Sequence, residues 1–543
     1  MTTPVTEHID ALLADFLADE LAASPVLATQ LGADSHDAEL PDLTAAGFAQ
    51  REAAEDRWTE RFGAVPDDAL SLDQRIDLEL VRSALRGRQA LRTWASWRRN
   101  PDTYLGPGLG GVFLLFLHRL RPEPDLVADA ESRLRGIPAL LDAGRENLDP
   151  DLASPVLIRR ALGQARAGVA YARDLVPAEV ADPALRARLA AAGELASAAF
   201  ESFANWLEDF ATRATGDYAL GEVLYSTLLR EREGLGYGAR ELRERGQKEY
   251  DALADEMVRR TREIAGHGDW RALMDELNSD HPTTSEEMRA GYADWTDRAR
   301  AFCRERGLVS FPDDERCLVE PSPHFQRPVL AVASYMTPPA FKPGRTGYFF
   351  VPYPPEGTSE AEAQERLATN SFSTMPTIAV HEAYPGHHWH LTWIKDNPRA
   401  VRKLLPSSYF IEGWGLYSER LMVEQGFYDD PRHELCAVDA RLFRAARIVV
   451  DTSLHLGEMT VDEAVTFMST KASLTEPTAR AEVARYCSWP TQAASYLTGS
   501  LEIERIRERW VAESRGTLRE FHDRIAGSGM LPLALAELAT LGV

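Results

Sequence analysis

The chain has 543 residues, of which 44% are hydrophobic and 27% are charged, and this composition is typical of a soluble globular protein with a large core. Its formal net charge of −24 argues against nucleic acid or an anionic membrane surface as a partner.

The cysteines and the N-terminal residues indicate where the protein is found. The four cysteines are far apart and in no ligand spacing, which predicts free thiols in a reducing compartment. The first twenty residues carry acids and have no apolar centre, so they do not resemble a secretory signal. The longest apolar run, Gly110 to Leu117, is too short to span a bilayer. We therefore expect a cytoplasmic protein without a membrane partner.

From the start of the chain to about Gly307 the pattern predicts one helix after another. Leu78, Val81 and Leu85, for example, recur at helical spacing with charged residues between them. No composition break separates independent domains. We therefore treat residues 1–543 as a single unit, with a helical N-terminal part (1–307) and a second part (308–543) that carries a small sheet and the helices of a metal site.

Residues 311–354 differ from the rest because they predict short strands. The segments Cys317–Glu320, Val329–Tyr335 and Gly347–Val351 are β-branched or aromatic and are bounded by prolines. Helical patterns then resume and continue to the C-terminus. The sequence therefore predicts a mainly α fold with one small sheet.

The octapeptide His381-Glu-Ala-Tyr-Pro-Gly-His-His388 follows this sheet and suggests half of a zinc hydrolase site. Two imidazoles would bind the metal, and the carboxylate of Glu382 would take a proton from water on the metal. The alternative is a histidine-rich surface loop after a proline break. The metal interpretation is favoured because a loop has no need of Glu382 beside the first histidine.

The spacing of the histidines requires a broken helix. Imidazole nitrogens on one zinc ion lie about 3 to 3.5 Å apart, which residues i and i+4 of a helix achieve. His387 and His388 are at i+6 and i+7 from His381, so neither pairs with it on a regular helix. A break at Pro385-Gly386 would return His387 to the i+4 place. We expect His387 to complete the pair, with His388 left as the alternative.

A third ligand should be a carboxylate from another helix. Glu412 lies 31 positions after His381 (412 − 381), in an apolar run from Ser408 to Glu419. Gly413 and Gly415 would leave room for a metal or for close helix packing. Glu419, two turns further on, would accept a hydrogen bond from a ligand histidine. The alternative is that both acids are solvated.

Two further stretches place polar residues on one helix face. Arg444, Arg447, Asp451 and His455 form a stripe on an otherwise apolar helix, which indicates either a wet cavity or an internal salt-bridge network. Near the end of the chain, the residues that share a face are Gln492, Tyr496 and Gly499. The Tyr496 hydroxyl could donate to the oxyanion of a tetrahedral intermediate, or the ring could simply be packed.

Together these motifs resemble the bacterial domain-of-unknown-function family numbered 885, over nearly the whole chain. The motifs are HEAYPGHH, IEGWGLYSE, the arginine-rich run ending in DTSLH, and WPTQAASYLTG. Proteins of that family are grouped with the gluzincin metallopeptidases. The resemblance implies a two-lobed helical shell around a deep channel, similar to angiotensin-converting enzyme and the carboxypeptidase Taq group, with the small sheet next to the active-site helix.

The resemblance also implies residue roles. His381, His387 and Glu412 would be the zinc ligands and Glu382 the general base. An edge strand, here Gly347–Val351, would pair with an extended substrate and place Tyr348 beside it. Two positions depart from the pattern, since Ser453 and Thr491 stand where glycine is expected in relatives.

We therefore expect a zinc-dependent metallohydrolase with one Zn²⁺ ion that cleaves short peptides. Tyr496 or His455 would stabilise the oxyanion. The predicted supporting or substrate-contacting residues are His388, Glu419, Arg444, Arg447, Asp451, Gln492 and Tyr348. One alternative is hydrolysis of an amide, or C–N cleavage, on a small metabolite. Another is a non-catalytic binding protein, against which the intact Glu382 argues. The sequence leaves the oligomeric state open.

Overall fold

Helices make up most of the structure, as the spacing of apolar residues predicts. A computed structural model describes residues 3–323, 326–327, 332–355 and 357–542. The chain forms two compact units, one of Met1–Ala219 with Pro339–Pro343, and one of Leu220–Pro338 with Gly344–Val543. The organisation of residues 1–543 as a single unit stays a prediction.

In the first unit, all regular secondary structure among the described residues is helical. Leu78, Val81 and Leu85 are all buried on one side of the helix Leu72–Arg92, which begins at a capping box of Ser71 and Gln74. The α-helices are Thr3–Ala23, Pro25–Leu31, Ala45–Gly63, Leu72–Arg92, Ser96–Arg99, Asp102–His118, Glu123–Asn147, Pro155–Ala170, Val176–Ala178 and Pro183–Ala211, with a 3₁₀ turn at Asp34–His36 and a π turn at Tyr171–Leu175.

The second unit contains the predicted site and the small sheet. Its α-helices are Glu222–Thr227, Ala239–Ala265, Trp270–Ser279, Ser285–Arg306, Glu360–Ala368, Met375–Glu382, His387–Trp393, Val401–Leu404, Ser408–Glu424, Pro431–His455, Val461–Lys471, Glu476–Ser488, Ser495–Ala512, Leu518–Gly527 and Leu533–Leu541. A π turn at Leu228–Arg232 and a 3₁₀ turn at Ile394–Asp396 complete the set. Among the described residues, no helix is both long and apolar enough to cross a bilayer.

The small sheet has three strands: β1 (Glu315–Pro321), β2 (Ser334–Met336) and β3 (Arg345–Val351). All three fall on the predicted segments, although Val329 to Ala331 lie outside the described residues. The strand order is β1-β3-β2, with β3 parallel to β1 and antiparallel to β2. The prediction that Gly347–Val351 is an edge strand is therefore wrong, because β3 has a hydrogen-bonded neighbour on each side.

Two helices that frame the site touch through their backbones. We call Ser408–Glu424 the glutamate helix and Ser495–Ala512 the tyrosine helix. A Cβ atom on Gly499 would lie 1.9 Å from the Tyr409 carbonyl oxygen, and one on Gly413 would lie 2.5 Å from the Gly499 backbone. Because only glycine permits this approach, Gly413 serves helix packing, as its position predicts.

Candidate metal centre

The helix that carries the octapeptide is interrupted where the sequence predicts. The first motif helix, Met375–Glu382, ends at Glu382, and the second motif helix, His387–Trp393, begins after Gly386. A Cβ atom on Gly386 would lie 2.0 Å from the His381 carbonyl oxygen, so only glycine fits there. The indole Nε1 of Trp414, on the glutamate helix, donates to the Pro385 carbonyl at 2.8 Å and holds the break in place.

This break brings two histidines and a glutamate together. Nε2 of His381 and Nε2 of His387 lie 3.8 Å and 3.5 Å from Oε2 of Glu412, and the two rings are nearly perpendicular at a centroid distance of 4.7 Å. One ligand atom from each residue lies within 4.8 Å of the others. These separations exceed hydrogen-bond lengths. They match those between ligands that share one ion at about 2.0–2.2 Å. Two imidazoles and one carboxylate are a donor set that suits zinc.

His381 is positioned by the glutamate helix from two sides. Its Nδ1 lies 2.6 Å from Oε1 of Glu419, which is almost fully buried, so Nδ1–H donates there and Nε2 faces Glu412. A Cβ atom on Gly415 would lie 2.6–2.9 Å from the His381 ring, so this glycine provides the space for the imidazole. Supporting carboxylates of this kind fix the orientation of metal-ligating histidines.

The charges around this cluster favour a cation. Burial by itself lowers the pKa of His381, but the nearby carboxylates of Glu412 and Glu419 raise it to about 9. Burial by itself raises the pKa of Glu412, but the two histidines have the larger effect and bring this pKa well below its usual range. Carboxylates that stabilise a positively charged imidazole in this way would also stabilise a metal cation at the same place.

His388 lies outside this cluster and has a structural role. Its Nε2 donates to Oε2 of Glu315 at 2.9 Å, and the Tyr335 hydroxyl lies 3.0 Å from its Nδ1. Glu315 also accepts from the Tyr384 hydroxyl at 2.5 Å and from Nε of Arg300 at 2.8 Å. His388 thus connects the second motif helix to β1 and β2. No spacing in the sequence relates Glu315 or Tyr335 to the octapeptide, so sequence reasoning missed both.

Glu382 and Tyr496 lie next to the cluster without belonging to it. Glu382 ends the first motif helix, and burial is the main reason that its pKa is raised. The Tyr496 ring lies parallel to the His381 ring at a centroid distance of 6.4 Å. Burial, followed by the charge of Glu412, raises the pKa of Tyr496 and keeps its hydroxyl protonated.

The predicted polar stripe lies on the helix Pro431–His455, which we call the arginine helix. Its residues form two groups with different partners. Arg447 donates to Glu482 at 2.7 Å, and its guanidinium lies 4.7 Å from the centre of the Tyr496 ring. Gln492, which packs in the same region, accepts from Arg485 at 2.5 Å. This part of the stripe is a salt-bridge network beside Tyr496.

The C-terminal end of the stripe bonds to residues outside the cluster. Asp451 accepts a hydrogen bond from the Tyr225 hydroxyl, and burial raises the pKa of Asp451 to about 7. The Nε2 of His455 donates to the Tyr486 carbonyl at 3.1 Å, and the Leu220 N–H donates to its Nδ1 at 3.4 Å. Both ring nitrogens of His455 are thus occupied by main-chain groups, so the structure does not support a role for His455 at the oxyanion.

Two further predicted positions have other surroundings. Tyr348 stacks on Phe350 at 5.7 Å within β3, and no described contact joins it to the cluster, so its role beside the substrate stays a prediction. Thr491 has φ +71°, in the left-handed region, which explains why glycine is expected there in relatives. Ser453, the other such position, lies on the arginine helix.

Comparisons with known proteins agree on the family and the fold. The model of the family described as bacterial protein of unknown function (DUF885) matches residues 25–539. A proposed lipoprotein of unknown function from Shewanella oneidensis has a TM-score of 0.80 and 21% identity, covering 98% of this chain and 99% of its own. A second proposed lipoprotein, from Colwellia psychrerythraea, has a TM-score of 0.84 and 19% identity, with 99% of each chain covered. The search of curated proteins gives no match.

Proposed function

Because the chain belongs to the DUF885 family and brings His381, His387 and Glu412 into one cluster, we propose that it is a zinc-dependent hydrolase of short peptides. The observation that supports this proposal is the set of 3.5 Å and 3.8 Å separations between the two Nε2 atoms and the Glu412 carboxylate. These distances are too long for hydrogen bonds and suit three ligands on one ion. The preference for peptides rests on the likeness of the motif to gluzincin peptidases, whose two-lobed shell is part of the same proposal.

In this proposal each residue has a separate task. His381, His387 and Glu412 hold the ion, and Glu419 keeps the His381 ring in the orientation that points Nε2 at the centre. Bound zinc supplies positive charge that polarises a carbonyl oxygen and acidifies a nearby water molecule. Gly415 leaves the space in which the His381 ring lies flat against the glutamate helix.

In this proposal, Glu382 transfers the proton of the attacking water molecule. It follows His381 directly and lies outside the ligand cluster, so its carboxylate is free to accept a proton from the attacking water and to deliver it to the leaving amine. Burial raises its pKa, and a carboxylate of higher pKa is a stronger base for the first of these two transfers. The protonated hydroxyl of Tyr496 would donate to the oxygen on which negative charge develops.

The location of the protein belongs to the proposal as well. The spacing of the cysteines predicts a reducing compartment such as the cytoplasm, whereas the two similar structures are of proposed lipoproteins, which suggests the cell envelope. Fractionation of cells that express the full chain distinguishes the two.

The Glu382→Gln variant tests the catalytic assignment. We expect it to retain zinc at the wild-type stoichiometry and to lose at least about 100-fold in kcat on peptides that the wild-type protein cleaves. Glu360→Gln, an exposed acid in the second unit, is the matched control and should change neither quantity. A Glu382→Gln protein with wild-type turnover removes Glu382 from the mechanism.

A further inference from the structure

One arginine beside the candidate centre pairs with no carboxylate among the described residues. Arg444 lies on the arginine helix, and its guanidinium carbon is 5.8 Å from the centre of the Tyr496 ring. It donates to the carbonyl of Ala440, one turn earlier, at 3.3 Å, and its buried Nε has no hydrogen-bond partner. Within the described part of the chain, Arg444 forms no ion pair. The side chain is half-buried, so part of the guanidinium remains open to solvent and to a ligand.

The neighbouring arginines, in contrast, each form an ion pair with a glutamate. Arg441 pairs with Glu504 at 3.1 Å, Arg447 with Glu482 at 2.7 Å, and Arg485 with the same glutamate at 3.0 Å. In a chain with a net charge of −24, carboxylates are abundant. The unpaired state of Arg444 therefore points to a negative charge that arrives from outside the chain.

Arg444 lies close enough to the candidate site for its charge to act there. Its positive charge acts on Glu382 and on Asp439, although neither carboxylate lies within ion-pair distance. The Tyr496 ring lies 5.8 Å from the Arg444 guanidinium and 6.4 Å from the His381 ring. An extended peptide advances about 3.3–3.6 Å per residue, so a path along these two steps spans up to about three or four residues.

We infer that Arg444 binds a substrate carboxylate up to about three or four residues from the scissile bond, so that the preferred substrates are anionic peptides. This inference rests on the proposed hydrolase function and adds the substrate class to it. A guanidinium pairs with a carboxylate through two parallel N–H···O bonds, a geometry that a neutral amide cannot reproduce. The carboxylate could be the C-terminus of the peptide or an acidic side chain.

The test compares acids with their amides. N-acetylated tri- to hexapeptides are offered to the zinc-loaded full-length protein in three forms: C-terminal acid, C-terminal amide, and amide with glutamate at one of the last three positions. We expect kcat/KM to be about 10-fold or more higher for the form that carries the carboxylate, mainly through KM. Arg444→Gln should abolish this preference and Arg444→Lys should retain part of it. The amide that contains glutamate shows whether the C-terminus or a side chain supplies the charge.

Arg432→Gln is the matched control, because Arg432 is an exposed arginine on the same helix that pairs with Asp430, and its loss changes the net charge equally. It should keep the preference. Thermal melting shows whether each variant folds. If Arg444→Gln fails to fold, the Arg444→Lys variant gives the result. An Arg444→Lys protein that keeps the full preference, and whose KM and kcat both change less than fivefold, would overturn the inference.

Binding to the Glu382→Gln variant separates this inference from the proposed function. Acetyl-tetraalanine and its amide are titrated into that variant with and without Arg444→Gln by calorimetry. Tighter binding of the acid that depends on Arg444 supports the inference. If such binding is found and the zinc-loaded wild-type protein hydrolyses no peptide, the inference stands and the proposed hydrolase is contradicted. Equal hydrolysis and equal binding of acids and amides overturns the inference and leaves the hydrolase in place. Binding of neither ligand also overturns it.

Discussion

The most informative single substitution is Gly415→Ala, because it acts on one ligand without removing any polar group. The new Cβ atom would lie 2.6 Å from Cε1 and 2.8 Å from Nε2 of His381. Ordinary contact begins near 3.4 Å, so the ring must move by about 0.8 Å. Metal–ligand distances tolerate about 0.2 Å. The His381 ring cannot keep both its bond to Glu419 and its place in the cluster.

We expect zinc affinity to fall about 10- to 100-fold, equivalent to about 1.4–2.7 kcal/mol, as it does when a ligand is displaced from its supported position. Competition with a chromogenic chelator measures this affinity in the full-length protein. Stability of the metal-free form, from urea unfolding, should change by no more than about 2 kcal/mol, because the gain in helix propensity partly offsets the cost of the close contact.

Alanine substitutions at two other glycines serve as controls for Gly415→Ala. Gly163→Ala lies in an open position of the helix Pro155–Ala170, and should leave zinc affinity unchanged and stabilise the fold by about 0.5–1 kcal/mol. Gly413→Ala contacts the Gly499 backbone, and should destabilise the metal-free protein by about 1–3 kcal/mol. Wild-type zinc affinity in Gly415→Ala would refute the account of how His381 is held.

Three further predictions test other parts of the site. Glu412→Ala should reduce zinc affinity by about 10-fold or more and by more than Glu419→Ala, as chelator competition will show; the reverse order would exchange their roles. Tyr496→Phe should lower kcat by about 100-fold and leave zinc content unchanged, and an unaltered kcat would leave Tyr496 with packing alone. Burial raises the pKa of Asp451 to about 7. As the pH rises from about 4 to 7, the folded state therefore keeps a proton that the unfolded state loses. The free energy of unfolding of the wild-type protein should fall by up to about 4 kcal/mol over this range. Asp451→Asn should lack this loss and be more stable than wild type at pH 8 but not near pH 4; urea unfolding curves with parallel pH dependence would contradict the assignment.

The sequence was sufficient for the features that depend on local chemistry. Pro385 and Gly386 predict the break, and the need for an i+4 geometry selects His387 over His388, because both follow from backbone sterics within eight residues. Glu412 could be found because an acid within an apolar run is unusual. The short apolar segments also predicted where the three strands lie.

Features that depend on tertiary pairing could not be predicted in the same way. The order of the strands is not encoded in the pattern of any one strand, so β3 was expected at the edge and lies in the centre. Helical spacing places His455 on the same face as Arg444 but does not show that main-chain groups occupy both of its ring nitrogens. The contact of His388 with Glu315 joins residues 73 positions apart, and no short motif records such a distance.

Anomalous diffraction at the zinc edge, from crystals of the full-length protein purified with zinc, tests the central claim most directly. We predict one anomalous peak per chain, about 2.0–2.2 Å from Nε2 of His381, Nε2 of His387 and an oxygen of Glu412. Elemental analysis of the same sample should give one zinc per chain, and Glu412→Ala should lose the peak. A zinc-supplemented protein with no peak among these three residues, or with its only peak elsewhere, would contradict the account.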